Sequence, residues 1–272
     1  VDPFILSVLL ALLGTSLFNV GMGMQKPGAP LLSRLGSALR QSQGRRLLAL
    51  WVLGVAFTVV AVVLSYKALD YGPASVVGAV NGFGLVALTL FSALALKEKV
   101  GRAEIAGMLA IVAGVGIIGY FGARAHEGPP RVDLHALLLG SAVLLGVPGV
   151  ALALSGWRSI RPRGLALGAL AGAFSGIGIV VMDVATTGFY NWWLCFFIWL
   201  TVSIASFVLT QVAYRFGRAI EVVPTFMSAS IIAPVVLGPL GLGDVLTPMM
   251  GLGVVAILAG VVVLGTSSDH EI

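Results

Sequence analysis

Nine predominantly apolar stretches of about 20 residues run through this 272-residue chain, at 4–24, 47–70, 73–96, 103–122, 133–154, 164–187, 189–214, 219–242 and 246–266. That length suits an α-helix crossing the hydrocarbon core of a bilayer. Lipid offers no partner to backbone N–H and C=O groups, so a spanning segment outside a closed barrel must pair them within its own helix. The pattern predicts an all-α integral membrane protein with nine transmembrane helices. The longest connection, residues 25–46, has 22 residues, and no soluble catalytic or nucleotide-binding domain fits in it. Pro27 and Pro30, followed by Leu31, Leu32, Leu35 and Leu39 with Arg34 and Arg40 between them, predict an amphipathic helix lying on the membrane surface there.

Charge is scarce, 10% of residues, and the net charge of +5 does not form a patch. The basic residues are divided among short connections, which argues against a nucleic-acid partner and for a topological signal. Counted by alternate connections, 13 of the 16 Lys and Arg fall on one side and only Lys67, Arg124 and Arg131 on the other. Because Lys and Arg are retained on the cytoplasmic side, the amino terminus is expected outside and the carboxyl terminus inside, in a plasma or inner membrane. Trp51, Trp157 and Tyr214 at inner ends, and Tyr71, Tyr120, Tyr190, Trp192 and Trp193 at outer ends, suit an interfacial aromatic belt. The single cysteine, Cys195, permits neither an intrachain disulfide nor a thiolate cluster.

The chain resembles itself at an offset of about 145 residues. Ala68, Gly72 and Ala74 match Ala213, Gly217 and Ala219; one residue later Glu98, Gly107, Gly114 and Gly119 meet Asp244, Gly253, Gly260 and Gly265. Spans two to four thus correspond to spans seven to nine, with Gly14 and Gly172 relating spans one and six. A shift of five spans reverses orientation. Two inverted-topology repeats of four helices are therefore expected: residues 1–124 with spans one to four, a linker helix at 125–162 with span five, and residues 163–272 with spans six to nine. Substrate sites in such proteins lie near the midplane where the copies meet. The small-residue ladders Gly168, Gly172, Gly176 and Ala106, Ala110, Gly114 read as helix-packing surfaces.

Ionisable groups within spans are expensive and point to function. Asp183 is the foremost of them, standing one turn from the outer end of span six; its alternative reading is a carboxylate paired at the interface. Lys67 and Asp70, three apart on one helical face, read either as a local ion pair or as part of a site. Glu98 and Asp244 read as helix caps, and Glu221 beside Arg215 and Arg218 as an inner-interface charge cluster. Gly78 and Pro224 correspond at an offset of 146 and are expected to mark broken helices lining the pathway. Around them Asn81, Thr225, Gln211 and Asn19 supply neutral polar groups.

The stretch Gly243-Asp244-Val245-Leu246-Thr247, with Gly253 and Gly260, resembles the closing helix of an EamA-type repeat in the drug/metabolite transporter superfamily. Within that superfamily, Leu96-Lys97-Glu98-Lys99-Val100, preceded by Pro73-Ala74-Ser75-Val76-Val77, is similar to the NIPA-type magnesium transporters, as are the nine spans and the Gln211–Pro224 segment. The resemblance implies transport of a divalent cation, Mg2+ foremost, down its electrochemical gradient. Mg2+ dehydrates reluctantly and is commonly held through water plus one or two carboxylates, so Asp183, Asp70 and Asn81 are its expected partners. No cofactor is implied.

The alternative is an exporter or exchanger of a small organic solute, with a pocket walled by aromatics such as those of span seven. An enzyme is not expected. Gly241-Leu242-Gly243-Asp244 matches the Gly-x-Gly-Asp of membrane aspartyl proteases, but Asp70-Tyr71 stands in the reverse order to their second motif, and two carboxylates must share a proton in that chemistry. His126 and His135 read as residues of an exposed outer loop. Whether two copies pair as a homodimer is left open by these features.

Overall fold

A computed structural model describes residues 2–25, 41–95, 101–122, 131–155, 161–216 and 219–267. All regular elements among them are helical: α1 (Pro3–Gln25), α2 (Ser42–Leu69), α3 (Ala74–Val80), α4 (Phe83–Ala95), α5 (Arg102–Gly122), α6 (Leu134–Ser155), α7 (Arg161–Thr186), α8 (Trp192–Phe216), α9 (Ala219–Leu237), a π-turn (Gly238–Leu242) and α10 (Pro248–Ser267). Eight segments, with α3 and α4 taken together, are long and apolar enough to cross a membrane, and α10 adds a shorter apolar stretch at Pro248–Val263. The protein is an integral, multi-pass membrane protein.

The second span begins earlier than expected, at Ser42. Its 28 residues make a helix about 42 Å long, beyond the hydrocarbon thickness of about 30 Å. Ser42–Arg46 therefore continue the span rather than lying apart on the surface, and Arg45 and Arg46 carry their charges to the headgroup region. The rest of the expected surface helix, residues 26–40, lies outside the described residues, as do Glu98 and His126.

Close helix pairing occurs where side chains are small. Along α7, Gly168, Gly172 and Gly176 meet α9: a Cβ at Gly168 would stand 3.0 Å from Val222 O and one at Gly176 2.7 Å from Ala233 Cβ. Between α5 and α10, a Cβ at Gly253 would come 2.8 Å from Gly114 O and one at Gly260 2.5 Å from Gly107 O. The low numbers of α5 thus lie beside the high numbers of α10, so these helices run antiparallel. Gly107 and Gly114 precede Gly253 and Gly260 by the same 146 residues, so exchanging the two halves maps one contact onto the other. Hydroxyls add links: Ser7 Oγ donates to Ala68 O at 2.8 Å between α1 and α2, and Ser206 Oγ to Ala171 O at 2.8 Å between α8 and α7. In contrast, α6 packs along α7 and turns Val147 and Leu154 outward, toward lipid.

The centre of the molecule is α3. All seven of its residues are buried, and Val76, Val77 and Val80 join Ile111, Ile231, Leu237 and Ile257 in one apolar core. The third span does break, but at Asn81–Gly82 rather than at Gly78. Across the break the backbone switches to i→i+3 bonds, Asn81 N to Gly78 O at 3.2 Å, Gly82 N to Ala79 O at 3.4 Å and Leu85 N to Gly82 O at 3.2 Å, the tighter pattern of a short 3₁₀ segment. Gly78 instead sits inside α3, where any Cβ would overlap the Pro234 ring of α9. Helix α9 is not broken at Pro224 and runs through to Leu237, because a spanning helix tolerates proline when neighbours cover the freed carbonyl. The second half is interrupted later, at the π-turn and the irregular residues 243–247, where Gly243 adopts a left-handed φ of 80°.

Candidate functional site

The break in the third span lies about 10 Å along the chain from the start of α3, and α1 crosses it. Thr15 Oγ1 donates to Asn81 O at 2.9 Å, and Gly84 N donates to the same carbonyl at 3.1 Å. One turn further along α1, Asn19 Nδ2 donates to Thr15 O at 2.9 Å. A backbone carbonyl only accepts, so the atom facing it must be the amide nitrogen, which turns Asn19 Oδ1 the other way. Neither Asn19 Oδ1 nor the Asn81 side chain has a hydrogen-bond partner among the described residues. Two neutral amide groups are thus left free to accept within a largely apolar interior. The arrangement depends on Gly84, where a Cβ would overlap Asn19 Nδ2 and lie 2.6 Å from Thr15 Oγ1.

A second polar group closes the other end of α3. The N-cap of this helix is Pro73, which has no side-chain oxygen to offer, yet its first amides are buried. Asp183 Oδ2 of α7 accepts Ala74 N at 2.9 Å, and Asp244 Oδ2 of the 243–247 segment accepts Ser75 N at 3.1 Å. Thr186 Oγ1 lies 3.3 Å from Asp183 Oδ1. Carboxylates at a helix N-terminus satisfy orphan donors and face the positive end of the helix dipole. Asp244 reaches its position because Gly238 has no side chain; a Cβ there would overlap Asp244 Oδ2. Burial pushes the Asp244 carboxyl above the usual carboxylate range, offset in part by the Ser75 hydroxyl and amide. That hydroxyl makes no well-formed hydrogen bond although Ser75 is fully buried.

The EamA-like transporter family matches residues 6–120. The probable magnesium transporter NIPA9 of Arabidopsis thaliana is 30% identical over 288 residues, covering 96% of this chain and 82% of that protein. The chain belongs to the NIPA-type transporters of the EamA-like superfamily. No solved structure matches it.

This NIPA-type protein is a membrane transporter, and its fold redistributes the residues expected to hold a cation. Asp183 is buried, at 8% exposure, and bonded to Ala74. Asn81 stands at the opposite end of α3, so the two cannot share one ion's inner coordination shell. Asp70 is the C-cap of α2 and pairs with Lys67 at 2.8 Å, with side chains 39% and 64% exposed respectively; the ion-pair reading of these residues is the one observed. No group of three or more His, Cys, Asp or Glu converges as a metal site among the described residues. Asp244 caps a helix, as expected, though the helix is α3 rather than its own. Thr225 is a partly buried residue of α9, while the side chains of Gln211, Pro224 and Glu221 lie outside the described residues. Gly84 could be read from the sequence as a glycine beside Asn81 and Gly82, and Ser75 as a member of the Pro73–Val77 stretch, neither with the contact it makes. Thr15 was not singled out, although it stands four residues before Asn19 on one helical face.

Where the carboxyl-terminal ends of α2 and α7 meet the start of α8, a cavity of about 420 Å³ is lined by Val63, Tyr66, Lys67, Asp70, Met182, Ala185, Thr186 and Trp192. Tyr66 meets Trp199 edge to face, with centroids 5.4 Å apart. Most of the remaining α8 aromatics face outward, Trp193 and Phe197 being 62% and 58% exposed, as an interfacial belt requires.

Proposed function

We propose that this transporter carries Mg2+ across the bilayer, down its electrochemical gradient, past the break at Asn81–Gly82. The observation that carries the reading is the Asn19 amide oxygen and the Asn81 side-chain amide, both without a hydrogen-bond partner among the described residues, beside a broken span, in a chain whose relative is named a probable magnesium transporter. Mg2+ keeps several of its waters when bound. Neutral oxygens that accept from those waters suit its passage better than a carboxylate cage, which would hold the ion too firmly to release. Two positive charges entering a negative interior gain about 4.6 kcal/mol per 100 mV, so uptake needs no nucleotide. Asn19, Asn81, Thr15 and Thr225 are proposed to line the pathway, with Gly84 giving α1 access to the break. Asp183 and Asp70 are left to structural roles.

The reciprocal contacts of Gly107 with Gly260 and of Gly114 with Gly253 support two inverted repeats, 1–124 and 163–272, joined by the linker at 125–162. The 13 to 3 division of basic residues supports an amino terminus outside and a carboxyl terminus inside. The aromatic wall of the outer cavity, Tyr66 and Trp192 above the Lys67–Asp70 pair, favours a second reading, export or exchange of a small organic solute.

Purified protein in liposomes loaded with a Mg2+-sensitive dye tests the first reading. Uptake should accelerate with an inside-negative potential and fall with Asn81→Leu. Absence of Mg2+ entry at any potential from a folded preparation would sink it.

A further inference from the structure

The cavity between α2 and α8, over the last turns of α7, changes character with depth. At its mouth stand Lys67 and Asp70, paired at 2.8 Å and both exposed. About 10 Å further into the span along α2, the wall is Val63, and the floor is Met182 and Ala185 of α7, both buried. Trp192, at the start of α8, forms the opposite wall, its indole stacked on Phe196 with centroids 5.3 Å apart. Val63 and Trp192 remain 55% and 49% exposed on spanning helices, so the cavity opens sideways to the bilayer as well as to the headgroup layer. Charge at the mouth, an interfacial aromatic beside it and apolar surface deeper down follow the order of a phospholipid from headgroup to acyl chain.

We propose that this cavity binds one phospholipid with a zwitterionic, primary-ammonium headgroup. The phosphate accepts from Lys67 Nζ, the ammonium donates to Asp70, and one acyl chain lies over Met182 and Ala185 between Val63 and Trp192. An exposed ion pair is worth little by itself, so opening it costs little, and each member regains a charge-assisted partner. The two charges also select among headgroups. A trimethylated ammonium has no N–H to give Asp70, and an anionic glycerol headgroup offers Asp70 no cation at all. Thr186, another lining residue, donates its hydroxyl to Asp183 O at 2.7 Å, so the lipid braces the turn from which Asp183 caps Ala74 N. A lipid seated here fills the volume an organic solute would need and leaves the break at Asn81–Gly82 untouched, so success or failure of the Mg2+ reading does not decide its binding.

Delipidated protein in detergent is titrated with phosphatidylethanolamine, phosphatidylcholine and phosphatidylglycerol carrying identical chains, and each apparent Kd is read from the rise in melting temperature with lipid concentration. Phosphatidylethanolamine should bind about tenfold more tightly than either of the others. The double variant Lys67→Ala with Asp70→Ala should lose that preference, and Ala185→Leu, which fills the floor of the cavity, should weaken phosphatidylethanolamine binding severalfold. Glycerophosphoethanolamine, the same headgroup without chains, should give no shift. A matching shift from that soluble compound would assign the cavity to a free solute and overturn the lipid proposal. Tighter binding of phosphatidylglycerol, or a preference that survives the double variant, overturns it as well. If the double variant does not fold, undiminished phosphatidylethanolamine binding by Ala185→Leu decides against it equally.

Discussion

The Thr15 hydroxyl of α1 donates to the Asn81 carbonyl at 2.9 Å, fastening the first helix to the one point where the third span loses its helical ladder. The bond orients Asn81 and sets the position from which Asn19 approaches Gly84. Thr15→Val keeps the shape and removes the donor. It should lower stability by about 1 kcal/mol, the usual net value of one buried hydrogen bond, and slow transport by more than that loss explains. Thermal melting in detergent and liposome uptake, measured on one preparation, check both parts.

Glycines that look alike in the sequence should respond in opposite ways. A Cβ at Gly84 would meet Asn19 and Thr15, whereas at Gly116 nothing lies within 4 Å. Gly84→Ala should abolish uptake, while Gly116→Ala should leave uptake unchanged and raise the melting temperature, since alanine is favoured over glycine within a helix by up to about 1 kcal/mol. Equal activity in the two variants would remove the Asn19–Gly84 contact from the pathway.

Asp183 is a cap supplied from a neighbouring helix, and its charge matters less than its oxygen. Asp183→Asn retains an acceptor for Ala74 N, so most of the protein should remain folded. Asp183→Ala leaves that buried amide unpaired and should cost about 1–2 kcal/mol more. Size-exclusion profiles and melting curves compare them. Mg2+-dependent stabilisation lost in Asp183→Asn alone would return this residue to the cation site.

Orientation rests on basic-residue asymmetry and is open to direct labelling. With Cys195 replaced by serine, Tyr190→Cys should react with an impermeant reagent in intact cells and Gln41→Cys only after permeabilisation. Both positions are exposed. The reverse pattern would invert every side assigned here.

Much of the architecture could be read from local pattern. Apolar run length located the spans within a few residues, because the bilayer imposes one length on every helix and water-soluble alternatives cannot satisfy so apolar a chain. Spaced glycines announced the tight faces of α7, α5 and α10, since close approach of two backbones requires their absence of side chains. The break was placed wrongly. Gly78 and Pro224 carried the sequence signal for an interruption, yet Gly78 serves Pro234 across the α3–α9 contact, and a proline's effect on a helix depends on what covers the carbonyl it frees.

Function-bearing pairings were less accessible. Asp183 was visible as a buried charge, but its partner Ala74 is 109 residues away, and that of Asp244 is 169 away. No local pattern specifies which of several buried amides a carboxylate will reach. The membrane-spanning helical fold, its small-residue faces and its family membership follow from sequence alone, because each depends on composition and spacing within one helix or between repeats. Which amide each aspartate caps, where the third span breaks, and that Thr15, Asn19, Asn81 and Gly84 meet were decided by tertiary packing, because those contacts exist only once distant helices have docked.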